Sequence, residues 1–380
     1  MNLLVAPDSF KGTLSAPQAA SIMTRAFRQI LPIESVVQMP LGDGGEGTAD
    51  CLIAAGGKPV VCSTVDGYGN PVAVQYAMLN STAVIDSASV VPMYAARREP
   101  ETASTFGLGA VVQDAVQRGC RTIMLALGGT GSNDAGCGLA AALGVRFLDE
   151  NGTAFLPCGK TLHCVAAFDC SEAHRALAGV SLFGLCDVTN PFFGSNGAAY
   201  VYAPQKGASP ETVCLLDAGM QSLAGVIAKG TGFDVQAFSG AGAAGGLGGG
   251  IAAFLNGTLT SGIQAVLRLL HFAEAAEKAD LILTGEGCTD KQTLMGKAIS
   301  GVLASAGRTP VIVLSGTAKH VSESLCEHGA SAVCAVNRVP ADFQAVAAAA
   351  AETLFDEACN TARLIALGMR LPHDSAQTGI

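Results

Sequence analysis

Apolar and polar residues alternate along residues 1–57 in a pattern typical of β-α-β-α order. The short apolar run NLLVA stops at Pro7, as a buried parallel strand would. Ser15 is a candidate N-cap for the next segment, SAPQAASIMTRAFRQIL, whose apolar residues recur at helical spacing. A second apolar run, SVVQMPL, and a second helical segment, GTADCLIAAGG, follow. This order predicts a doubly wound parallel sheet.

The same alternation returns at the other end of the chain. The runs ADLILTG, TPVIVLSG and SAVCAVN predict strands, and helices are predicted over 291–307, up to about Gly329, and over 341–367. Between the two ends, residues 58–90 indicate short antiparallel strands with turns, and RTIMLALGG, VRFLD and SLFGLCDVTNP predict further strands. We therefore expect a discontinuous α/β fold. Residues 1–57 plus 262–380 form one parallel-sheet domain, and residues 58–261 form a mixed α/β domain inserted into it.

The composition narrows the class of protein. Of 380 residues, 49% are hydrophobic and 14% are charged, which allows a sizeable core and excludes disorder as a class. The net charge of −9 and the lack of any basic run argue against nucleic acid and anionic membranes as partners. No window approaches 18 apolar residues, so no membrane span is expected. The 13 cysteines form no C-x-x-C pair, and most lie in apolar runs, which favours buried, reduced thiols. We expect a cytoplasmic protein that binds neither nucleic acid nor membrane.

Glycines together with acids or amides follow one predicted strand after another. In open parallel sheets, ligands bind beyond the carboxyl ends of the strands, because loops and helix N-termini meet there. The loops concerned contain Asp8, Ser9 and Lys11; Asp43, Gly44, Gly45 and Glu46; Asn133; Asp187 and Asn190; and Glu286, Asp290 and Lys297. Any one of these acids could simply cap a helix. Their repetition instead predicts a site where glycines let backbone amides approach a ligand and acids hold a metal or a proton.

Glycine turns, carboxylates and lysines together suit a magnesium-bound polyphosphate. The segment LMGKAIS lacks the upstream glycine and the following Ser or Thr of a phosphate loop, which excludes an ordinary Walker-type ATPase. Residues 240–245, GAGAAG, match the dinucleotide-binding fingerprint, yet no acid occurs between Ala241 and Glu274, and the preceding residues are a poor strand. A nucleotide-linked oxidoreductase and a non-catalytic metabolite-binding protein therefore remain alternatives to phosphoryl transfer.

Several longer motifs resemble the bacterial glycerate kinase family. They are APDSFKGTLSA (6–16), GDGGEGT (42–48), CDVTNPFFGSNGAA (186–199), PQKGA (204–208), GAGAAGGLG (240–248) and TGEGCTDKQTLMGK (284–297). The resemblance implies ATP-dependent phosphorylation of D-glycerate with Mg²⁺, with 2-phosphoglycerate favoured over 3-phosphoglycerate as the product. It also implies a flavodoxin-like domain built from both chain ends, an inserted domain with a restriction-enzyme-like fold, and an active site in the cleft between the two domains.

Combined with this resemblance, the loop residues acquire predicted roles. We expect Asp187 or Asp43 to orient or deprotonate the attacking hydroxyl, and Lys11 to assist catalysis. The predicted metal ligands are Asp8, Glu46, Glu286 and Asp290. The predicted substrate- and phosphate-binding residues are Ser9, Asn133, Asn190, Lys206, Lys297, Gly44, Gly45 and Gly242. The expected partners are the small molecules ATP and D-glycerate, and a homodimer is possible.

Overall fold

The chain forms two compact units. A computed structural model describes residues 1–290, 293, 297–319, 321–337 and 342–371. Unit 1 comprises Met1–Leu41 and Leu267–Ile380, and unit 2 comprises Gly42–Val266. Unit 1 is thus built from both chain ends, but the division falls at other residues than those of the predicted domains. Residues 42–57 group with unit 2 because the helix Thr48–Ala54 packs on two strands of that unit.

Helices and strands alternate along most of the chain. The first part contains β1 (Asn2–Val5), α1 (Ala16–Ile30), β2 (Ser35–Gln38), α2 (Thr48–Ala54), β3 (Lys58–Val65), β4 (Pro71–Leu79), β5 (Thr82–Asp86), α3 (Phe106–Gln117), β6 (Thr122–Ala126) and α4 (Cys137–Ala142). The middle part contains β7 (Arg146–Leu148), β8 (Ala154–Phe155), β9 (Ala167–Asp169), α5 (Ser171–Ala176), β10 (Ser181–Leu185), α6 (Ala198–Tyr202), α7 (Pro210–Thr231), α8 (Ala243–Leu255) and β11 (Thr258–Thr260). The last part contains α9 (Gly262–Leu269), α10 (Phe272–Glu277), β12 (Leu281–Thr289), α11 (Ala298–Ser305), β13 (Val311–Ala318), α12 (Ser322–Glu327), β14 (Ala330–Ala335) and α13 (Phe343–Gly368).

Unit 1 is a parallel sheet of five strands in the order β14-β13-β12-β1-β2. Numbered along the chain within this unit, that order is 2-1-3-4-5, the order of flavodoxin-like doubly wound sheets. Successive residues of β1 face opposite sides of the sheet. Leu3 and Val5 pack in the hydrophobic cluster with α1 and α13, and Leu4, which is outside that cluster, is also fully buried. The sheet is therefore covered on both faces, which explains the unbroken apolar runs of its strands.

Side chains cap two helices of unit 1, one of them at the predicted Ser15. Ser15 caps α1, since its Oγ accepts from the Gln18 amide at 3.3 Å and the Gln18 side chain accepts from the Ser15 amide at 2.9 Å. Asp342 caps α13 through the Ala345 amide at 2.8 Å. These capping pairs satisfy amide groups that have no partner inside the helix.

Two predictions for unit 1 require correction. Strand β12 does not end at Gly285 but continues to Thr289, because it pairs with β13 as far as Ala318. Glu286 therefore lies within a strand and not in the loop after it. The helix predicted over 291–307 is the shorter α11, Ala298–Ser305, and residues 291, 292 and 294–296 lie outside the described residues.

Unit 2 has a mixed sheet of six strands in the order β11-β10-β6-β5-β4-β3. Strands β3, β4 and β5 pair antiparallel, which confirms the meander predicted over residues 58–90. Strands β5, β6, β10 and β11 run parallel, so that Asp86, Ala126, Leu185 and Thr260 share one register at their carboxyl ends. A small sheet, in the order β8-β7-β9, completes the strands seen in this unit.

The core of unit 2 depends on main-chain contact around the glycine-rich helix α8. A Cβ on Gly250 would lie 2.1 Å from the carbonyl oxygen of Ala135. A Cβ on Gly245, where φ is +67°, would lie 2.1 Å from the carbonyl oxygen of Ser132. Helix α8 thus packs directly against the backbone of residues 132–136, and only glycine permits that distance.

The remaining global features concern helices and cysteines. Among the described residues, no helix combines the length and apolar character needed to cross a bilayer. All 13 cysteines carry free thiols, but only five of them are buried, namely Cys51, Cys62, Cys120, Cys137 and Cys359. The expectation of free thiols is confirmed, whereas burial holds for a minority.

We predict opposite effects from two helical glycine substitutions in unit 2. Gly250→Ala places a methyl group against the Ala135 carbonyl and should lower the free energy of unfolding by about 1–3 kcal/mol through overpacking. Gly225→Ala, at an exposed position of α7, meets no atom within 4 Å and should raise the free energy of unfolding by roughly 0.5–1 kcal/mol. Urea unfolding of both variants checks this. A Gly250→Ala protein as stable as Gly225→Ala would contradict the packing described for α8.

Candidate functional site

In unit 1, charged side chains lie where β1 ends, beside the second half of β12. Asp8 follows β1 and is buried; its backbone amide donates to the Gly285 carbonyl at 2.8 Å, and its Oδ1 accepts from the Ser9 amide at 2.6 Å. Lys11 lies on the turn that follows and is exposed. The carboxyl end of β1 thus brings residues 8–11 beside Gly285 and Gly287, inside the longer strand β12.

Glu286 is the central acid of this edge. It is only 8% exposed, and its Oε1 accepts a hydrogen bond from the Thr293 hydroxyl at 2.6 Å. Burial raises the pKa of Glu286, whereas the Thr293 hydrogen bond and the positive charges of Lys297 and Lys11 lower it. The negative charge of Asp290 raises it further. Lys11, Asp290 and Lys297 therefore lie within electrostatic reach of Glu286, and we call these four residues the unit 1 cluster.

In unit 2, Asp43 and Asp187 form a pair of acids. Oδ1 of Asp187 accepts from the Gly262 amide at 3.2 Å. Burial of its carboxylate raises the pKa of Asp187, and the nearby Asp43 charge raises it further, whereas hydrogen bonds from Ser261 and Gly262 lower it. Asp187 nevertheless keeps exposed surface. It is an accessible carboxylate whose charged form is disfavoured, which is the character of a proton acceptor.

We call the segment GDGGEGT, residues 42–48, the acidic glycine loop. Gly44 has φ of +88°, and a Cβ on it would lie 2.9 Å from Cβ of Leu185. A Cβ on Gly262 would lie 2.1 Å from the carbonyl oxygen of Asp43. Gly44 and Gly262 therefore allow close packing of the loop at the carboxyl edge of the unit 2 sheet. Gly45 anchors Asp43 by donating its amide to Oδ1 at 3.2 Å, and Glu46 is exposed.

Asn190 and Gly242 lie together in a second part of unit 2. The side chain of Asn190 accepts from the Tyr202 hydroxyl at 2.6 Å and donates to the Asn196 carbonyl at 2.9 Å. The Gly242 amide donates to the Asn190 carbonyl at 3.0 Å, and a Cβ on Gly242 would lie 2.2 Å from the carbonyl oxygen of Pro191. The glycines of GAGAAG thus allow contact between backbone segments. No strand precedes this motif in the described residues 232–242, unlike in a dinucleotide-binding fold.

Asn133 and Lys206 belong to a buried polar cluster of unit 2. Lys206 is 2% exposed, and its Nζ donates to the Ser132 carbonyl at 2.7 Å. Burial lowers the pKa of Lys206 to about 7, although the charge of Asp134 acts in the opposite direction. Within the described part of the chain, Oδ1 of Asn133 is buried without a hydrogen-bond partner. These two predicted ligand-binding residues are therefore placed in the interior, away from the solvent-accessible carboxylate of Asp187.

The carboxylates form small groups and not a complete metal cage. Across the described residues, no set of three or more His, Cys, Asp and Glu side chains is arranged to hold a metal ion. Mg²⁺, however, keeps several water molecules and is commonly bound by one or two carboxylates together with substrate phosphates. The pair Glu286 and Asp290 is a hard-oxygen donor set of this kind, flanked by two lysines. The residues present fit a phosphate-bound Mg²⁺ ion.

Sequence reasoning missed three residues that hydrogen-bond to predicted site residues or to the acidic glycine loop. Thr293 and Ser261 donate to Glu286 and Asp187, but hydroxyl residues are too common in loops to be singled out. Asp86 ends β5 and accepts from the Gly47 amide at 2.8 Å and the Ala49 amide at 3.1 Å. Burial raises the pKa of Asp86 to about 7. An acid directly after the apolar run AVI could have indicated this residue. It was not predicted because the segment was interpreted only as part of an antiparallel meander.

These features define an α/β protein with acids and lysines at the carboxyl edges of parallel strands, where open α/β sheets bind their ligands. A sequence model of the glycerate kinase family matches residues 3–366. The chain belongs to this family and is therefore a kinase.

Relatives cover almost the whole chain. The glycerate kinase of Halalkalibacterium halodurans is 38% identical over 338 residues, which is 87% of this chain and 89% of the relative. The glycerate 2-kinase of Escherichia coli K12 is 34% identical over 380 residues, covering 97% and 99%. A Salmonella typhimurium LT2 crystal structure, assigned as glycerate kinase 2, superposes with a TM-score of 0.86 at 34% identity, covering 98% and 100%.

We predict that Lys206 makes stability depend on pH. Its pKa is lowered to about 7 in the folded protein, so between about pH 7 and its ordinary value near 10.5 the unfolded chain holds a proton that the folded chain has lost. Stability should therefore rise with pH in that window, by up to about 1.4 kcal/mol per pH unit. Lys206→Met should lose this rise. Urea unfolding at pH 6, 7, 8 and 9 measures it.

The control for this experiment is Lys229→Met, which removes an exposed lysine from α7 of the same unit. It should follow the pH dependence of the wild type. Parallel curves for Lys206→Met and wild type would show that Lys206 is charged in the folded protein throughout this range.

Proposed function

We propose that this protein transfers the γ-phosphoryl group of ATP to D-glycerate, with 2-phosphoglycerate as the favoured product. The observation that carries the proposal is the match to the glycerate kinase family over residues 3–366. The relative named glycerate 2-kinase, 34% identical over 97% of this chain, supports the position of the transferred group. The charged groups at the carboxyl edges of both sheets supply the chemistry that this reaction needs.

For the unit 1 cluster we propose the binding of ATP phosphates. Lys11 and Lys297 carry the positive charge that compensates the phosphate oxygens, since phosphoryl transfer depends on positioning and charge neutralisation. Glu286 and Asp290 would hold Mg²⁺, and Asp8 stays a predicted further ligand. Mg²⁺ supplies charge neutralisation on the phosphate oxygens when bound. The Thr293 hydroxyl, 2.6 Å from Glu286, fixes the orientation of that carboxylate.

For unit 2 we propose recognition and activation of glycerate. Asp187 accepts the proton of the attacking hydroxyl, because its raised pKa brings it closer to the working pH of a general base. The Gly262 amide and Ser261 hydroxyl hold it in place, and Asp43 sets its charge environment. Glu46 and Asn190, with the amides of Gly44 and Gly45, stay predicted contacts for metal or substrate, as does Ser9 in unit 1.

Further expectations stay predictions beside this proposal. They are the restriction-enzyme-like fold of unit 2, the roles of Asn133, Lys206 and Gly242 in ligand binding, a homodimer, the absence of nucleic-acid partners, and a cytoplasmic location. A non-catalytic metabolite-binding relative remains the main alternative. The oxidoreductase alternative is weakened because backbone packing against Asn190 and Pro191 accounts for the close approach at Gly242.

We expect purified protein to form a phosphoglycerate from Mg-ATP and D-glycerate. ³¹P NMR, read against both phosphoglycerate standards, should show the 2-phosphoglycerate signal. A 3-phosphoglycerate signal would keep the kinase and overturn the position. No transfer by folded protein, with glycerate still bound, would instead support the metabolite-binding alternative.

Asp187→Asn should lower kcat by roughly 10²–10⁴-fold, because the amide cannot accept the substrate proton. The fold should persist, since the amide oxygen can still accept from Gly262. Asp234→Asn is the matched control: this exposed acid of unit 2 also accepts backbone amides, from Gln236 and Ala237. It should keep wild-type kcat in a coupled ADP-release assay. A near-normal kcat in Asp187→Asn would remove Asp187 as the base.

A further inference from the structure

Asp86 holds the acidic glycine loop from a neighbouring strand. It is the last residue of β5 and is only 7% exposed. Its two carboxylate oxygens are both used: Oδ2 accepts from the Gly47 amide at 2.8 Å and Oδ1 from the Ala49 amide at 3.1 Å. One side chain therefore fixes two amides that flank Thr48.

The loop has no equivalent support within its own sequence. Gly47 occupies the N-cap position of α2 and has no side chain to accept from the first amides of that helix. Thr48 donates its hydroxyl to the Gly45 carbonyl at 2.7 Å, which tightens the turn but leaves the Gly47 and Ala49 amides unmatched. Asp86 thus caps α2 from a distance of 37 residues along the chain. Its removal frees the end of the loop.

Ser87, the next residue, joins a second loop to the same strand end. Its Oγ donates to the Ala126 carbonyl at 2.7 Å and lies 2.5 Å from Oγ1 of Thr130. The loop after β6 in turn contacts the acidic glycine loop, since the Gly128 amide donates to the Gly44 carbonyl at 3.1 Å. Residues 86 and 87 therefore position two loops that contact each other beside Asp43.

The surroundings of residue 86 make it energetically unfavourable to bury a carboxylate there, unless that carboxylate is needed to bind the loop amides. Glu46 and Asp50 place like charge near Asp86, and the buried carboxylate gains only backbone amides in return. A neutral side chain would avoid that repulsion. Two acceptor oxygens at one strand end are what the geometry requires, because two amides of the loop must be bound together.

We propose that Asp86 is a positioning residue for phosphoryl transfer, acting through the Gly47 and Ala49 amides to hold the acidic glycine loop, and with it Asp43, in place. This inference rests on the proposed kinase function. Both carboxylate oxygens of Asp86 accept backbone amides, so its role is to act through the loop. A misplaced loop weakens alignment in the transition state more than it weakens ground-state binding, so the effect belongs in kcat.

The test compares Asp86→Asn with wild type in three measurements. The amide of Asn offers one acceptor oxygen and sets its own NH₂ group against a backbone N–H. We expect kcat to fall by about 10–100-fold while KM for ATP and for glycerate changes by less than about threefold. Hydrogen–deuterium exchange should accelerate in the peptide covering residues 44–50. The melting temperature reports any general loss of structure.

The matched control is Asp149→Asn. Asp149 also accepts two backbone amides, from Asn151 at 2.9 Å and Thr153 at 2.8 Å, but both on Oδ1 and in the turn between β7 and β8. Because the amide oxygen of Asn can keep both bonds, its variant should show wild-type exchange in that turn and wild-type kcat. If Asp86→Asn does not fold, Asp86→Ser, with one hydroxyl acceptor, repeats the comparison.

The outcomes separate this inference from the proposed function. Unchanged kcat or unchanged exchange at residues 44–50 in Asp86→Asn overturns it, as does an equal change in kcat and KM. A wild type that makes no phosphoglycerate overturns the proposed function and with it the catalytic part of the inference. The exchange data then decide on their own whether Asp86 holds the loop.

Discussion

Direct contact between main-chain segments is the constraint on which unit 2 depends. At the carboxyl edge of its sheet, Gly262 lies so close to Asp43 that any Cβ would meet the Asp43 carbonyl oxygen at 2.1 Å. The Gly128 amide completes the same layer by donating to the Gly44 carbonyl. These backbone contacts fix the main chain at Asp43, and its short side chain keeps the carboxylate close to that main chain. Sites held in this way keep their geometry because little of it can relax. The same glycines are costly for the unfolded chain to order, so their density reflects the need for this contact.

Buried titratable side chains are the second feature on which the structure depends. Glu286, Asp86 and Lys206 are each less than 10% exposed, and for each of them burial is the largest influence on the pKa. Each is compensated by hydrogen bonds to fixed partners: a hydroxyl, two amides and a carbonyl. Polar and titratable groups tolerate burial only with such partners, and removing one partner leaves a buried polar atom without a hydrogen bond. The three groups therefore tie their surroundings together. Glu286 alone belongs to a cluster with lysines, which makes it suited to a phosphate-bound metal ion.

Family membership and geometry define different properties of the protein. The match over residues 3–366 identifies the chemistry class, but it assigns no role to any side chain. The geometry does the opposite: it groups Glu286 with two lysines in unit 1 and Asp187 with Asp43 in unit 2. It also gives a glycine of the GAGAAG motif a role in packing. Gly242 is needed for contact with Asn190 and Pro191, so the same residue pattern arises from packing.

The sequence by itself determined the alternation of strands and helices, the antiparallel meander, the capped helices, and the recurrence of acids where parallel strands end. These follow from local periodicity and residue chemistry, which a single segment contains in full. Only the tertiary structure decided that α2 belongs with unit 2 and that Glu286 lies inside a strand. It also decided that Lys206 is buried and that Asp86 accepts hydrogen bonds from a loop distant in sequence. Pairing partners and depth of burial depend on segments far apart in the chain, such as β12 with β13 or Asp86 with Gly47. No local pattern contains that information, because it arises only when those segments pack together.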